Sequence, residues 1–169
     1  IFGRRNNGKS SVINSLVGQE VAIVSEIAGT TTDPVKKSIE IQGIGPVVLI
    51  DTAGMDDVGE LGSKRVGKTR DAVKRIDLGI LVLSEGRFGR PETNMITEFN
   101  KWEVPFVVIH NKSDIHPLSP GARKKIEQAC GQQILEYAAI QPLNRNELVD
   151  MLRKSIPETA YLSKSLVGD

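Results

Sequence analysis

Eight residues near the start of the chain have the types and spacing of a phosphate-binding loop. They occupy positions 3–10 and read GRRNNGKS, which matches the pattern G-x-x-x-x-G-K-S/T. The two glycines let such a loop wrap with its backbone N–H groups pointing inward, toward a β-phosphate. Lys9 would place a charge between the β- and γ-phosphates, and Ser10 would offer its hydroxyl to Mg²⁺. The predicted phosphate-binding residues are Arg5, Asn6, Asn7, Gly8, Lys9, Ser10 and Ser11.

Two further polar signatures follow apolar runs later in the chain. The segment DTAG at 51–54 follows one apolar run, and NKSD at 111–114 follows another. An acid at the end of a buried strand, in order after a phosphate loop, has the position of a Walker-B-like residue. Asp51 is therefore predicted to hold Mg²⁺ through a water, and the Gly54 N–H to meet the γ-phosphate.

The NKSD segment predicts which base is bound. The Asp114 carboxylate can accept hydrogen bonds from guanine at N1–H and at the exocyclic amine, donors that adenine lacks there. Binding adenine would leave this carboxylate unpaired, at a cost of roughly 2–3 kcal/mol. Asn111 can tie the neighbouring loops together, and the Lys112 stem can cover the base face. GTP or GDP is the predicted cofactor, and an ATP-using kinase is disfavoured.

A loop between the first two signatures carries three consecutive threonines, Thr30, Thr31 and Thr32. Their hydroxyls suit a segment that closes over Mg²⁺ and the γ-phosphate when nucleotide binds. The alternative is a Thr-rich connector that binds no ligand. The phosphate loop upstream favours the first interpretation.

These signatures need a scaffold that brings three strand ends together. Apolar runs alternate with helical patterns, which implies right-handed crossovers, a mostly parallel sheet and a ligand site beyond the carboxyl ends of the strands. The predicted fold class is α/β: a small GTPase-like P-loop NTPase, with about six strands in a three-layer α/β/α sandwich. The continuous run at 47–50 predicts a strand covered on both faces. Predicted helices are 9–16, 63–75, 92–102, 120–130 and 145–154, and other predicted strands are 38–42, 78–83, 106–109 and 134–135.

Composition limits the other classes of function. The chain has 169 residues, of which 39% are hydrophobic, enough to bury one core. Its 22 basic and 21 acidic residues give a net charge of +1, so charge favours neither nucleic acid nor a membrane as the main partner. A single cysteine, Cys130, excludes an internal disulfide and fits a cytoplasmic protein. The basic residues between 64 and 75 predict a solvated helix face, with an RNA surface as the alternative.

The sequence also predicts the domain boundaries. Residues 1–156 are expected to form one GTP-binding domain, and residues 157–169 an exit linker, because helical periodicity is lost there. Only two residues precede Gly3, whereas a buried strand usually needs about five. The first strand is therefore expected to be truncated at the N-terminus.

With these elements in order, nearly the whole chain resembles the GTPases of the TrmE–Era group. Positions 1–75 further resemble the GTPase domain of the HydF family, the maturation GTPases of [FeFe]-hydrogenase. The segments that carry this second resemblance are GRRN at 3–6, VAIVS at 21–25, AGTTTDPV at 28–35, GPVVLIDTAG at 45–54 and GELG at 59–62.

The resemblance implies roles for individual residues. Thr31 matches the switch-one threonine, the usual Mg²⁺ ligand of the family, and Asn6 matches the asparagine that helps bind K⁺ in potassium-activated members. Ala139 matches the position whose N–H meets the guanine oxygen, although Ala138 stands where the family usually has Ser. A monovalent cation near the phosphates would supply the charge that an arginine finger supplies elsewhere. The predicted metal ligands are Ser10, Thr31 and Asp51 for Mg²⁺, and Asn6 for K⁺.

Met55 stands where many GTPases place the glutamine that orients the attacking water. A thioether cannot do so, and we therefore expect slow intrinsic turnover. The nearby carboxylates Asp56, Asp57 and Glu60 either position the water or form a solvated acidic loop. The predicted catalytic residues are Lys9, Thr31, Gly54, Asp57 and Glu60.

The resemblance also implies a larger protein. HydF-like proteins carry further domains for dimerisation and iron–sulfur cluster binding, so the full-length protein is expected to be a homodimer. Its implied partners are the hydrogenase maturation radical enzymes and the hydrogenase, with no iron–sulfur cluster held by the present residues. Two alternatives stay open: an RNA- or ribosome-linked switch of the same fold, and a nucleotide sensor with negligible hydrolysis.

Overall fold

The computed structural model describes residues 1–17, 35–52, 67, 71–140 and 145–157. Within these ranges the chain alternates between strands and helices. The strands are β1 (Phe2–Gly3), β2 (Val35–Ile41), β3 (Gly45–Asp51), β4 (Gly79–Ser84), β5 (Phe106–Asn111) and β6 (Ile134–Glu136). The helices are α1 (Lys9–Val17), α2 (Arg90–Lys101), α3 (Pro120–Cys130) and α4 (Arg145–Ser155).

The sheet is mostly parallel, as the alternating pattern predicted. Strands β1, β4, β5 and β6 pair in that order, all parallel. Strands β2 and β3 form an antiparallel hairpin that lies beside β1. The Ile1 nitrogen donates to the Ile50 carbonyl at 2.6 Å, and the Thr52 N–H donates to the Ile1 carbonyl at 3.4 Å. These two bonds hold the hairpin next to the first strand, so the described strands form a four-stranded parallel sheet and a two-stranded antiparallel sheet beside it, where about six strands in one sheet were predicted.

Successive residues of the central strands point to opposite faces of the sheet, and each face carries its own hydrophobic cluster. From β4, Ile80 and Val82 join the cluster that contains the apolar faces of α1 and α4, while Leu81 and Leu83 join the one that contains α2 and α3. All six residues of β4 are buried. The result is the predicted three-layer α/β/α sandwich.

Helix boundaries follow local signals closely. Helix α3 begins after Ser119, whose hydroxyl accepts the Ala122 N–H at 3.2 Å, with a proline in the first turn. It ends at Gly131, which has a φ of 73° and so takes a left-handed conformation that favours glycine. The prediction of a helix over 120–130 is confirmed.

The prediction that strand β3 is covered on both faces was wrong. Val47 and Leu49 pack against the core, whereas Val48 points to the other face and is 60% exposed. The hairpin with β2 therefore has one face toward the core and one toward solvent, which is common for antiparallel pairs.

Of the predicted basic helix at 63–75, residues 67 and 71–73 are described and helical. The predicted end of that helix was wrong by two residues, because 74 and 75 form a turn, and residues 63–66 and 68–70 lie outside the described residues. In the described part of the chain, every helix is too short or too polar to span a bilayer.

Candidate functional site

The predicted phosphate loop connects β1 to the first turn of α1, as its flanking sequence indicated. Asn6 and Gly8 have φ values of 65° and 83°, left-handed conformations that curl the backbone tightly. The Lys9 ammonium lies within this curve, where it donates to the carbonyls of Gly3 at 3.1 Å and Arg4 at 3.2 Å. The charge predicted to meet the phosphates is thus held at the centre of the loop.

The side chain of Asn7 anchors the loop to the sheet. Asn7 is buried, donates from Nδ2 to the Val82 carbonyl at 2.7 Å and accepts the Ser84 hydroxyl at Oδ1, also at 2.7 Å. Both polar atoms of this side chain are therefore used by the end of β4. Contact between Asn7 and a nucleotide stays a prediction, and only its backbone is placed to make it.

Asn111 ties the end of β5 to two other loops, the role considered for it from the sequence. Its Nδ2 donates to the Asn7 carbonyl at 2.9 Å, and its Oδ1 accepts the Ala139 N–H at 3.1 Å. The predicted contact between the Ala139 N–H and the guanine oxygen would therefore share a donor that Asn111 already uses, and it stays a prediction.

A pocket of about 230 Å³ lies between the phosphate loop and the NKSD segment. Asp114 is exposed at this pocket, where its carboxylate is accessible to a ligand. Lys112 reaches across to the phosphate loop, because its Nζ donates to the Asn6 carbonyl. Two large apolar side chains, Ile115 and Ile140, line the pocket although they are 62% and 76% exposed. The pocket residues are Gly8, Ser11, Glu85, Asn111, Lys112, Asp114, Ile115, His116, Ala139 and Ile140.

The side chain of His110 contacts the NKSD segment and the residues that follow β4. The ring is fully buried; its Nε2 accepts the Gly86 N–H at 3.0 Å and its Nδ1 lies 2.9 Å from the Ser113 hydroxyl. Because a backbone N–H can only donate, Nε2 must be the unprotonated nitrogen and the ring is neutral. Burial lowers the pKa of His110, with Glu136 raising it and His116 lowering it further.

The predicted Mg²⁺ ligands that the structure describes are oxygen donors beside the phosphate loop. Ser10 is exposed in the first turn of α1, and Asp51 ends β3 next to Thr52. Thr52 fixes this strand end, since its hydroxyl donates to the Ile1 carbonyl at 2.7 Å. A hydroxyl and a carboxylate fit Mg²⁺, which takes hard oxygen ligands and completes its shell with phosphate oxygens and water. Outside the described residues lie Thr31, Gly54, Asp57 and Glu60, together with Thr30, Thr32, Met55 and Asp56.

Comparison with known proteins agrees with this geometry. Residues 1–112 match the family model described as 50S ribosome-binding GTPase. A tRNA modification GTPase MnmE from Nitrosomonas europaea is 34% identical over 172 residues, which cover 100% of this chain and 36% of the relative. MnmE from Aquifex aeolicus is 35% identical over 158 residues, covering 92% and 34%. The chain spans about a third of the length of these two relatives.

Solved structures give the same result. Era from Aquifex aeolicus bound to GDP and AlF4− has a TM-score of 0.74 at 25% identity, over 92% of this chain and 55% of that one. Era in complex with MgGDPNP and a segment of 16S ribosomal RNA has a TM-score of 0.73 at 25% identity, with the same coverage. A probable GTP-binding protein EngB, at 17% identity and a TM-score of 0.71, shares the fold over 92% of this chain and 96% of its own. The chain belongs to the 50S ribosome-binding GTPase family, as a P-loop GTPase domain of the TrmE–Era group.

Proposed function

We propose that this domain is a GTP-hydrolysing switch that requires Mg²⁺ and is stimulated by K⁺. The observation that carries the proposal is the network centred on Asn111, which joins the base-reading segment directly to the phosphate loop. In this proposal Asp114 selects guanine and the phosphate loop binds the phosphates. The Lys9 ammonium, which donates to the carbonyls of Gly3 and Arg4, would donate to phosphate oxygens instead when nucleotide binds. Ser10 and Asp51 would hold Mg²⁺, Asp51 through a water, and the ion would supply positive charge to the β- and γ-phosphates.

The proposal of a K⁺ site is supported by the position of Asn6. This residue is exposed in a left-handed conformation at the phosphate loop, and its backbone carbonyl is held by Lys112. Its amide oxygen can therefore contribute to a cation site beside the phosphates. A cation there would stabilise negative charge that develops during phosphoryl transfer.

Potassium stimulation is tested by measuring phosphate release from Mg-GTP in KCl and in NaCl at equal ionic strength. We expect faster release in KCl, on the order of tenfold, and loss of this difference in Asn6→Ala because a cation ligand is removed. Asn100→Ala, the same change at an exposed position of α2, is the control and should keep the stimulation. Equal rates in both salts would remove K⁺ from the mechanism, and GTP that binds but persists would indicate a nucleotide sensor.

We further propose that the domain serves a cytoplasmic scaffold or carrier for [FeFe]-hydrogenase metal-cluster maturation. The support is the resemblance to the HydF family, above all AGTTTDPV at 28–35 followed by GPVVLIDTAG at 45–54. In this proposal the complete protein is a homodimer that works with the maturation radical enzymes and the hydrogenase. The GTPase domain would time their association.

The second candidate is a role in tRNA modification. It is favoured by the relatives named tRNA modification GTPase MnmE, one of which aligns with 100% of this chain. The net charge of +1 gives this domain no general attraction for nucleic acid, so such a role would rest on other parts of the protein.

The two candidates are separated by deleting the gene in its own host and measuring both processes. We expect loss of hydrogenase activity, restored by the full-length wild type but not by full-length Lys9→Ala, with tRNA modification unchanged. Loss of tRNA modification with normal hydrogenase activity would establish the alternative. Binding of tRNA by the purified full-length protein, measured against salt concentration, provides an independent check because phosphate contacts make affinity fall steeply with salt.

A further inference from the structure

A buried ion pair links the phosphate loop to the first turn of α2. The Glu92 carboxylate is fully buried, and Arg4, the second residue of the loop, binds it in a bidentate manner. Arg4 Nε donates to Oε2 at 2.8 Å and Nη2 donates to Oε1 at 2.7 Å. The Gly89 N–H donates to Oε1 at 2.7 Å. Both carboxylate oxygens are thus engaged, and two of the three bonds come from the loop arginine.

Separating the Arg4 guanidinium from the Glu92 carboxylate is energetically costly. A carboxylate that is buried without its partner is strongly unfavourable, and the rigid fork of a guanidinium fits the carboxylate in few geometries. The direction of the Arg4 side chain is therefore fixed relative to Glu92. Because Met95, Ile96 and Phe99 bury the same helix against the sheet, α2 offers the loop a firm support.

Fixing the Arg4 side chain also fixes the loop backbone at the point where it curves. The Arg4 carbonyl accepts the Lys9 ammonium at 3.2 Å and the Asn7 N–H at 3.3 Å. A change in the backbone torsions of Arg4 that moved this carbonyl, and with it the curve that holds Lys9, would also displace the guanidinium from Glu92. The loop has a second and separate anchor at Asn7, whose side chain forms hydrogen bonds with Val82 and Ser84 of β4.

We infer that Glu92 is a positioning residue for the phosphate loop of this GTPase, acting through Arg4. The pair holds the loop in the curvature that binds nucleotide phosphates. Its loss weakens nucleotide binding although Glu92 itself contacts no phosphate. Through this pair, a movement of the N-terminal turn of α2 would also shift the phosphate loop.

The test compares Glu92→Gln with the same substitution at Glu127. Glu127 is a matched control because it also accepts from an arginine, Arg123 at 2.9 Å, and from a backbone N–H, that of Ile134 at 3.2 Å, but it lies on α3 away from the loop. We expect the Kd of Mg-GDP to rise about tenfold in Glu92→Gln, equivalent to about 1.4 kcal/mol. The Kd should change less than about twofold in Glu127→Gln.

Arg4→Lys gives a second and independent measurement, because it keeps the charge but loses the guanidinium fork. It should raise the Kd as Glu92→Gln does, and the double variant should be no worse than the worse single one, since both changes break the same link. Should Glu92→Gln fail to fold, Arg4→Lys alone decides. The inference is overturned if either folded variant binds Mg-GDP like the wild type, or if the two effects multiply. It is also overturned if Glu127→Gln weakens binding equally, because the effect would then be one of general stability.

Discussion

Replacing Asp114 by Asn is expected to change the base that the pocket accepts from guanine to xanthine. The carboxylate accepts from two guanine donors, whereas an amide can accept from N1–H and donate to the second carbonyl of xanthine. Losing the pairing with guanine should cost about 2–3 kcal/mol, so the Kd for GDP should rise roughly 30- to 150-fold. The measurement is competition of GDP and XDP for a fluorescent nucleotide.

Glu85→Gln is the control for this change, since the substitution removes a carboxylate at the same pocket without touching the NKSD segment. It should leave the preference for guanine intact. If Asp114→Asn still preferred GDP over XDP, Asp114 would not be the residue that reads the base, and the assignment of the pocket would need another acceptor.

Gly8→Ala is expected to abolish tight nucleotide binding. Gly8 has a φ of 83°, and an added Cβ would overlap Nδ2 of Asn111. That amide donates to the Asn7 carbonyl, so the overlap would break the bond between the base segment and the phosphate loop. Left-handed backbone costs about 1–2 kcal/mol for a residue with a Cβ, and the displaced amide adds to this cost. We expect the Kd for Mg-GDP to rise by roughly two orders of magnitude.

Gly131→Ala separates backbone strain from the effect on the site. Gly131 has a similar φ of 73°, but an added Cβ there would meet nothing within 4 Å, and the residue ends α3 away from the pocket. This variant should lower the free energy of urea unfolding by about 1–2 kcal/mol and leave the Kd for Mg-GDP unchanged. A Gly8→Ala protein that bound Mg-GDP as tightly as the wild type would contradict the geometry of the loop.

The fold, and the meeting of the phosphate loop and the NKSD segment at one pocket, were predictable from local sequence. Strand β4 has a continuous apolar run, and α3 has a serine cap followed by proline, so each carries its own boundary signal. The phosphate loop and NKSD segment were likewise predictable, because the chemistry of phosphate and guanine fixes residue types at short spacing.

The support of the site was not predictable in the same way. Glu92 binds Arg4 across 88 positions of the sequence, and Asn7 binds Ser84 across 77. Nothing in the local pattern distinguishes Glu92 from a solvated helix carboxylate, because its burial depends on how α2 packs on the sheet. At Val48 a local pattern was present but misleading. The continuous apolar run of β3 predicted that both faces of the strand are covered, whereas the hairpin topology leaves the face that carries Val48 exposed.

The hydrogen bond between Asn111 and the distant Asn7 has a consequence for synthesis on the ribosome. The Asn111 amide bonds to a carbonyl 104 positions earlier, so the phosphate loop emerges long before the residue that holds it. During translation a nascent chain that ends before β5 has the phosphate loop but lacks the base segment and its support. Contacts between distant positions also form slowly, since chain entropy must be lost first. Nucleotide binding should therefore begin only after β5 has emerged from the ribosome, and GTP would stabilise only those chains that have already paired β5 with β4.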